Sequence, residues 1–251
     1  MKRATATTLL LFFVLCGFSQ ESTKPWKSHL SSGLFQVKEH ANFGLVFKGA
    51  GFQYGIGRDF GTERGIITFG SEAGVSILFS RQIPGLGIYL KPFDVAYLFE
   101  IPLKNNRLLI GPAAMLEYNY NLYPDLQAGF DYWFTNFSAG VAARYDFRVK
   151  ESDLRLSFNT SLAGFISRQP DDRNPYFYDI GFRHAVRHLH QDLTFGLAGD
   201  YNVTTLEIQW KPAPNSRLTY AYKVKFSGFY GNPEISMLNH SIKLIFNRKN
   251  A

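Results

Sequence analysis

Charged residues within alternating polar and apolar stretches are distributed unevenly along the chain. The acidic set lies in the first half and comprises Glu72, Asp94, Glu100, Glu117 and Asp131; the basic set lies in the second half and comprises Arg155, Arg217, Lys223, Lys225 and Lys243; Arg144 and Asp146 lie between them. If the chain closes into a cylinder, the two halves form opposite walls. We therefore expect an acidic wall facing a basic wall, which either orients small solutes in a channel or is plugged by ion pairs across the lumen.

A cluster of three histidines could bind a metal ion. His184, His188 and His190 lie within "HAVRHLH", where a pair four residues apart would share one helical face, as metal ligands often do. No carboxylate has the spacing of a further ligand, and two neighbouring arginines would repel a cation. We expect no metal and no cofactor.

A nucleophile and a base are neighbours in "NHSIK", which contains His240 and Ser241. The pleat of a β-strand sends neighbouring residues to opposite faces. Ser236 shares a face with His240 but lies four residues away, about 13 Å along a strand and beyond hydrogen-bonding reach. We therefore expect no catalytic residues.

The elements that would position these residues are long strands. In "FSAGVAARYDF", residues 137–147, an apolar set alternates with a small or polar set, and its aromatic members lie only at the two ends. Comparable runs cover residues 67–80, 108–121, 154–166 and 217–226. They exceed the 5 or 6 residues typical of strands in soluble proteins and suit the roughly 9 to 11 needed to cross a bilayer core. The pattern indicates a lipid-facing band between two aromatic girdles.

Short turns between these runs predict an antiparallel meander, and a sheet in lipid must close because unpaired backbone groups are costly there. We predict an all-β, closed, antiparallel up-and-down transmembrane β-barrel of about twelve strands, with ten or fourteen as alternatives. The predicted strands are 29–38, 42–57, 64–80, 87–103, 107–121, 125–134, 137–149, 152–167, 192–200, 203–211, 217–229 and 236–247. Residues 167–191 form either a long connection or an additional strand near 176–183, which would make 29–38 an N-terminal extension.

Three places predict local irregularity. The apolar set changes from odd to even positions around Gly49 and Gly51, which suggests a β-bulge. Pro92 and Pro112 lie inside strand patterns, where each removes a ladder donor, so we expect bulges there too.

The first 20 residues have the features of a secretory signal peptide. Lys2 and Arg3 precede an apolar stretch from Leu9 to Cys16, far shorter than the roughly 20 residues of a membrane helix. We expect cleavage near residue 20 and one barrel domain over residues 21–251. A lipoprotein signal ending at Cys16 is the alternative. Cys16 is the only cysteine, so we expect neither disulfides nor thiolate metal sites.

The amino-acid composition argues against a nucleic-acid partner and favours strands in a membrane. The formal net charge is +7, but the basic residues are dispersed, so we expect no nucleic acid as a partner. The chain has 24 Phe and 14 Tyr against only 3 Met and 3 Trp, which suits strands and interfacial belts.

Long alternating strands such as "IITFGSEAGVSILF" and the last strand "HSIKLIF" resemble those of Gram-negative outer-membrane β-barrel proteins. The resemblance implies location in the cell outer membrane, contact with its lipid, and insertion by the barrel assembly machinery. It favours a non-enzymatic protein, either a channel for small solutes or a structural or binding protein. The alternatives are a membrane-embedded acyl hydrolase of the phospholipase or lipid A deacylase type, and a soluble periplasmic lipid-carrying barrel.

Overall fold

The computed structural model describes residues 25–39, 44–103, 106–123, 132–168, 189–190, 193–231 and 234–247. The expected signal peptide and the strand considered at 176–183 lie outside these residues. The described residues contain no helix long and apolar enough to cross a bilayer.

Eleven strands make up the described fold. They are β1 Lys27–Glu39, β2 Val46–Thr62, β3 Gly65–Ser80, β4 Ile83–Pro102, β5 Arg107–Leu122, β6 Tyr132–Val149, β7 Ser152–Arg168, β8 Thr194–Leu197, β9 Tyr201–Lys211, β10 Leu218–Phe229 and β11 Ile235–Asn247. Most exceed ten residues, as the length of the alternating runs predicts.

Ten of these strands close into an antiparallel up-and-down cylinder. Neighbours in sequence pair from β1 to β7, β9 pairs with both β7 and β10, and β11 pairs with β1 to close the ring. The four-residue β8 pairs with Ala163–Ile166 of β7, beyond the Asp153–Thr160 segment that pairs with β9. The predicted closed barrel is confirmed, with ten strands rather than twelve.

Two misplaced breaks account for the difference. Thr135 and Asn136, expected to form a turn between strands 125–134 and 137–149, lie inside the single strand β6 and are almost fully buried. The predicted strands 192–200 and 203–211 correspond to β8 and β9, which lie along the same edge of β7 on either side of a turn at 198–200. At neither place does the chain reverse its direction.

The bulge expected at Gly49 and Gly51 is wrong. Strand β2 stays in unbroken register there with both neighbours, because Gly51 pairs with Gly33 and Ser76. Phe47 points inward and is fully buried, whereas Phe52 points outward and is 62% exposed. The apolar set changes faces because the interior itself becomes apolar at this end of β2.

The bulge expected near Pro92 is confirmed. Register shifts between Leu90 and Phe93 against β5, and the same part of β4 shifts against β3. At Pro112 the pairing with β6 continues without a shift, so the bulge expected there is wrong.

The wall of the cylinder is apolar outside and largely polar inside. Leu34, Ile77 and Ile242 are 59–67% exposed, whereas Glu72 and Lys223 are 4% exposed. Outward aromatic pairs lie near both ends, including Tyr145 with Phe147 and Phe165 with Phe195. This arrangement matches an apolar band with aromatic girdles, as predicted from residues 137–147.

The two ends of the cylinder differ. We call the end where β1 begins and β11 ends the proximal end; it carries the connections at 63–64, 103–106, 150–151 and 212–217. The opposite, distal end carries the connections at 40–45, 81–82, 123–131, 169–193 and 230–234. The longest connection is therefore distal.

Inside the distal part, an apolar cluster fills the cylinder. Its buried members are Val37, Phe47, Leu78, Met115, Tyr123, Phe134, Ile166, Tyr201, Val203 and Ile235. The rings of Phe47 and Tyr123 pack with centroids 4.2 Å apart. We call this group the distal plug.

Candidate functional site

The lumen between the distal plug and the proximal end holds most of the buried charges. Because side chains alternate along each strand, every second residue of the wall points inward. Six acidic and seven basic side chains meet there: Asp59, Glu72, Asp94, Glu117, Asp146 and Glu207 with Lys27, Lys91, Arg144, Arg155, Lys223, Lys225 and Lys243. The near balance of charge allows these groups to be paired inside the cylinder.

One ion pair crosses the middle of the lumen from β10 to β3. Lys223 Nζ lies 2.8 and 3.1 Å from the two carboxylate oxygens of Glu72, and both side chains are at least 95% buried. Lys223 also donates to the side-chain oxygen of Gln53 at 3.4 Å, and Lys91 and His29 approach Glu72 at 3.8 Å. Glu72 is thus held from several sides of the cylinder.

A second pair crosses from β10 to β5 on the distal side. Lys225 Nζ lies 2.7 Å from Glu117, and the hydroxyl of Tyr89 donates to the same carboxylate at 3.0 Å. The ammonium group also lies 3.2 Å from that hydroxyl and 4.4 Å from the centre of the tyrosine ring. A cation, a carboxylate and a phenol therefore form one buried group.

A third pair crosses from β6 to β2 near the proximal end. Arg144 donates to Asp59 at 3.3 Å and binds Asp146 with Nε and Nη2 at 3.0 and 2.8 Å. Arg155 also binds Asp146, at 2.7 Å, and Lys27 binds Asp59 at 3.1 Å. We call these five residues the throat; its three cations share two carboxylates.

The bulge at Pro92 places two further charges in the lumen. Residues three apart on a regular strand point to opposite faces. Because the bulge adds a residue, Lys91 and Asp94 both face inward, and their side chains are 2.9 Å apart. Lys243 of β11 pairs with Glu207 of β9 at 2.8 Å.

Cavities occupy the proximal half of the lumen. One of about 260 Å³ extends inward as far as Glu72 and Lys223, and another of about 560 Å³ forms the proximal mouth. Lys27, Asp59, Arg144 and Arg155 line both cavities, so the throat lies between them. On the distal side of Lys223, a separate space of about 50 Å³ is lined by Gln53, Tyr89 and Lys225 among others. The Lys223–Glu72 pair thus lies between the proximal and distal spaces.

Most residues expected to line the lumen do lie inside it. Glu72, Asp94, Glu117, Arg144, Arg155, Lys223, Lys225 and Lys243 all take part in the contacts above. Glu100 lies exposed at the proximal rim and binds Arg107, while Arg217 is exposed just before β10. Asp131 lies outside the described residues. Each long crossing pair joins an acid from the first half to a base from later in the chain.

Four lumenal charges were not predicted from the sequence: Lys27, Asp59, Lys91 and Glu207. Their presence makes both walls mixed in sign rather than one acidic and one basic. Glu207 lies in the alternating stretch "TLEIQW", so its period-two pattern could have identified it. Lys91 could not be placed that way because the bulge changes its face.

The histidine sites have different surroundings. His240 points outward and accepts or donates a hydrogen bond with the Tyr222 hydroxyl at 2.7 Å, whereas Ser241 is 2% exposed and points inward. The predicted separation of these two residues is confirmed. His184 and His188 lie outside the described residues; His190 contacts Tyr118 at 2.9 Å. No cluster of three potential metal ligands occurs in the part of the chain described.

The closed ten-stranded cylinder, apolar outside and polar inside, is the fold of Gram-negative outer-membrane β-barrel proteins. The outer membrane protease OmpT of Escherichia coli has a TM-score of 0.52 at 8% identity, covering 92% of this chain and 100% of that chain. The translocator domain of the autotransporter NalP of Neisseria meningitidis has a TM-score of 0.42 at 8% identity, covering 98% and 96%. An outer membrane channel of Pseudomonas putida F1 has a TM-score of 0.38 at 10% identity, covering 90% and 97%.

At sequence identities of 8–10%, these comparisons show similarity of fold alone. No protein-family model matches the chain, and no curated protein matches it. A shared fold does not by itself define an activity.

Proposed function

We propose that this protein is a non-enzymatic integral barrel of the outer membrane whose lumen is closed, and that its role is structural or binding. The proposal is based on the side chains that occupy the lumen. Three ion pairs cross the lumen at successive levels, and the distal plug fills the interior beyond them. Small solutes have no wide aqueous path through such an interior.

The outer surface supports a membrane location. Leu34, Phe52 and Ile242 would be costly to expose to water but are favourable against hydrocarbon. Barrels of this class have short periplasmic turns and longer external loops, so we place the proximal end in the periplasm. Both described ends of the chain then lie on the periplasmic side.

The positions of His240 and Ser241 weigh against the acyl hydrolase alternative. A serine nucleophile needs its general base within hydrogen-bonding distance. The wall of the barrel separates these two side chains, because one faces lipid and the other faces the lumen.

Conductance across a planar lipid bilayer tests the closed lumen. The purified protein should give no discrete current steps in molar potassium chloride. A variant that removes the central pair and two aromatic rings of the distal plug, F47A/Y123A/E72A/K223A, should give steps, because it widens the interior at both levels.

The variant also serves as the control for insertion, since silence has meaning only when the barrel is in the bilayer. Regular steps from the unmodified protein would refute the proposal and favour the small-solute channel. A second variant that changes only the rim, E100A, should remain silent like the parent.

A further inference from the structure

The cavity of about 260 Å³, which we call the proximal cavity, has walls of two kinds. Ala96, Leu98 and Ala142 line one side and are at least 93% buried. They belong to an apolar patch that continues through Ile66 and Leu109. Such a wall offers a dry surface to a hydrocarbon or aromatic group inside an otherwise polar lumen.

The throat adjoins this apolar wall directly. Arg144 and Ala142 are successive inward positions on β6, and Leu109 of β5 is the pairing partner of Arg144. A molecule resting on the wall would therefore have a guanidinium group within one side-chain length.

The electrostatics of the throat favour an anion. Asp146 is shared by Arg144 and Arg155, and Asp59 is shared by Arg144 and Lys27. Three cations thus face two carboxylates among the described residues. With Asp146 of the throat included, six inward basic side chains face five acidic ones, an excess of one positive charge. An added carboxylate would balance this excess and could accept paired hydrogen bonds from a guanidinium group.

We propose that the proximal cavity binds a small organic monoanion, a carboxylate with a compact apolar body. The carboxylate would lie at the throat beside Arg144 and Arg155, and the apolar body against Ala96, Leu98 and Ala142. A volume of about 260 Å³ is enough for a simple aryl carboxylate. The site requires only the proximal cavity, so it stands or fails independently of whether the lumen conducts.

The test is fluorine NMR titration of 4-fluorobenzoate into the folded full-length protein in a neutral maltoside detergent. We expect saturable line broadening at millimolar concentrations. The uncharged 4-fluorobenzyl alcohol should bind at least about tenfold more weakly, because it cannot accept a charge-assisted bond from the throat. Inorganic sulfate should compete poorly, because it has no group for the apolar wall.

Two variants separate the two halves of the site. R155Q should weaken binding at least about tenfold, and A142L should abolish it by filling the cavity. R148Q is the matched control, because Arg148 lies at the proximal mouth in an exposed pair with Asp153 and does not line the proposed site. Far-UV circular dichroism would show that each variant keeps its β-structure.

Several results would overturn the proposal. One is the absence of binding at about 10 mM 4-fluorobenzoate. Another is that the alcohol or sulfate binds as tightly as 4-fluorobenzoate. A third is that the R155Q and A142L variants bind 4-fluorobenzoate as tightly as the unmodified protein. Loss of binding in R148Q as well would indicate that general positive charge, rather than this site, attracts the anion.

Discussion

Replacing Lys225 by methionine should destabilise the barrel by about 3 to 5 kcal/mol, the usual cost of removing one partner of a buried ion pair. The substitution removes the contacts of Nζ with Glu117 at 2.7 Å and with the Tyr89 hydroxyl at 3.2 Å. The Glu117 side chain is 2% exposed, so water cannot replace the lost ammonium group. Methionine keeps most of the packing volume, which leaves the unpaired carboxylate as the main cause of the loss.

The measurement is equilibrium unfolding in guanidinium chloride from phospholipid vesicles, followed by tryptophan fluorescence. The double variant K225M/E117Q should regain about half of the loss, because it no longer buries an unpaired charge. The control R148M removes a pair whose side chains are 60% and 38% exposed, and it should change stability by less than about 1 kcal/mol. If K225M lowers the free energy of unfolding by less than about 1 kcal/mol, the buried Lys225–Glu117 pair does not stabilise the barrel as we expect.

Two further predictions test the wall. Gly49→Ala should strongly reduce the yield of folded barrel, because its new Cβ would overlap the carbonyl oxygen of Ile77; Gly70→Ala, whose nearest neighbour would be 3.9 Å away, should fold normally, and band migration on unheated gels would compare them. Deleting Pro92 should leave a barrel that still folds, because it removes the residue that the bulge adds and leaves Lys91 and Asp94 two apart on a regular strand, where both still face the lumen; a deletion variant that does not fold would contradict this account of the bulge.

Alternation and strand length were sufficient to predict a closed antiparallel barrel with its apolar face outward. A period of two is a local property, and it assigns Ala139 and Arg144 to opposite faces without knowledge of any partner. The length of the runs then indicates that the outer face contacts lipid, because strands in soluble proteins are rarely so long. The same reasoning placed Glu72 and Lys223 in the lumen.

The strand count required the pairing partners. Thr135 and Asn136 resemble a turn in composition, but in β6 they pair with β5 on one side and with β7 on the other. Backbone hydrogen bonds to two neighbours outweigh the weak turn preference of two polar residues.

Two features of the interior depended on tertiary structure. Phe47 resembles a lipid-facing residue in the sequence, and only the other members of the distal plug explain why an aromatic ring points inward there. Lys91 and Asp94 share a face only because the bulge at Pro92 shifts the register of β4.

The sequence by itself determined which residues alternate and how long each strand is, because both follow from the geometry of one extended chain. Tertiary structure decided which charges meet. Glu72 and Lys223 lie 151 residues apart, and their 2.8 Å contact exists only because ten strands close at a particular register. The identity of each partner across the lumen is a property of the whole ring, so no local pattern encodes it.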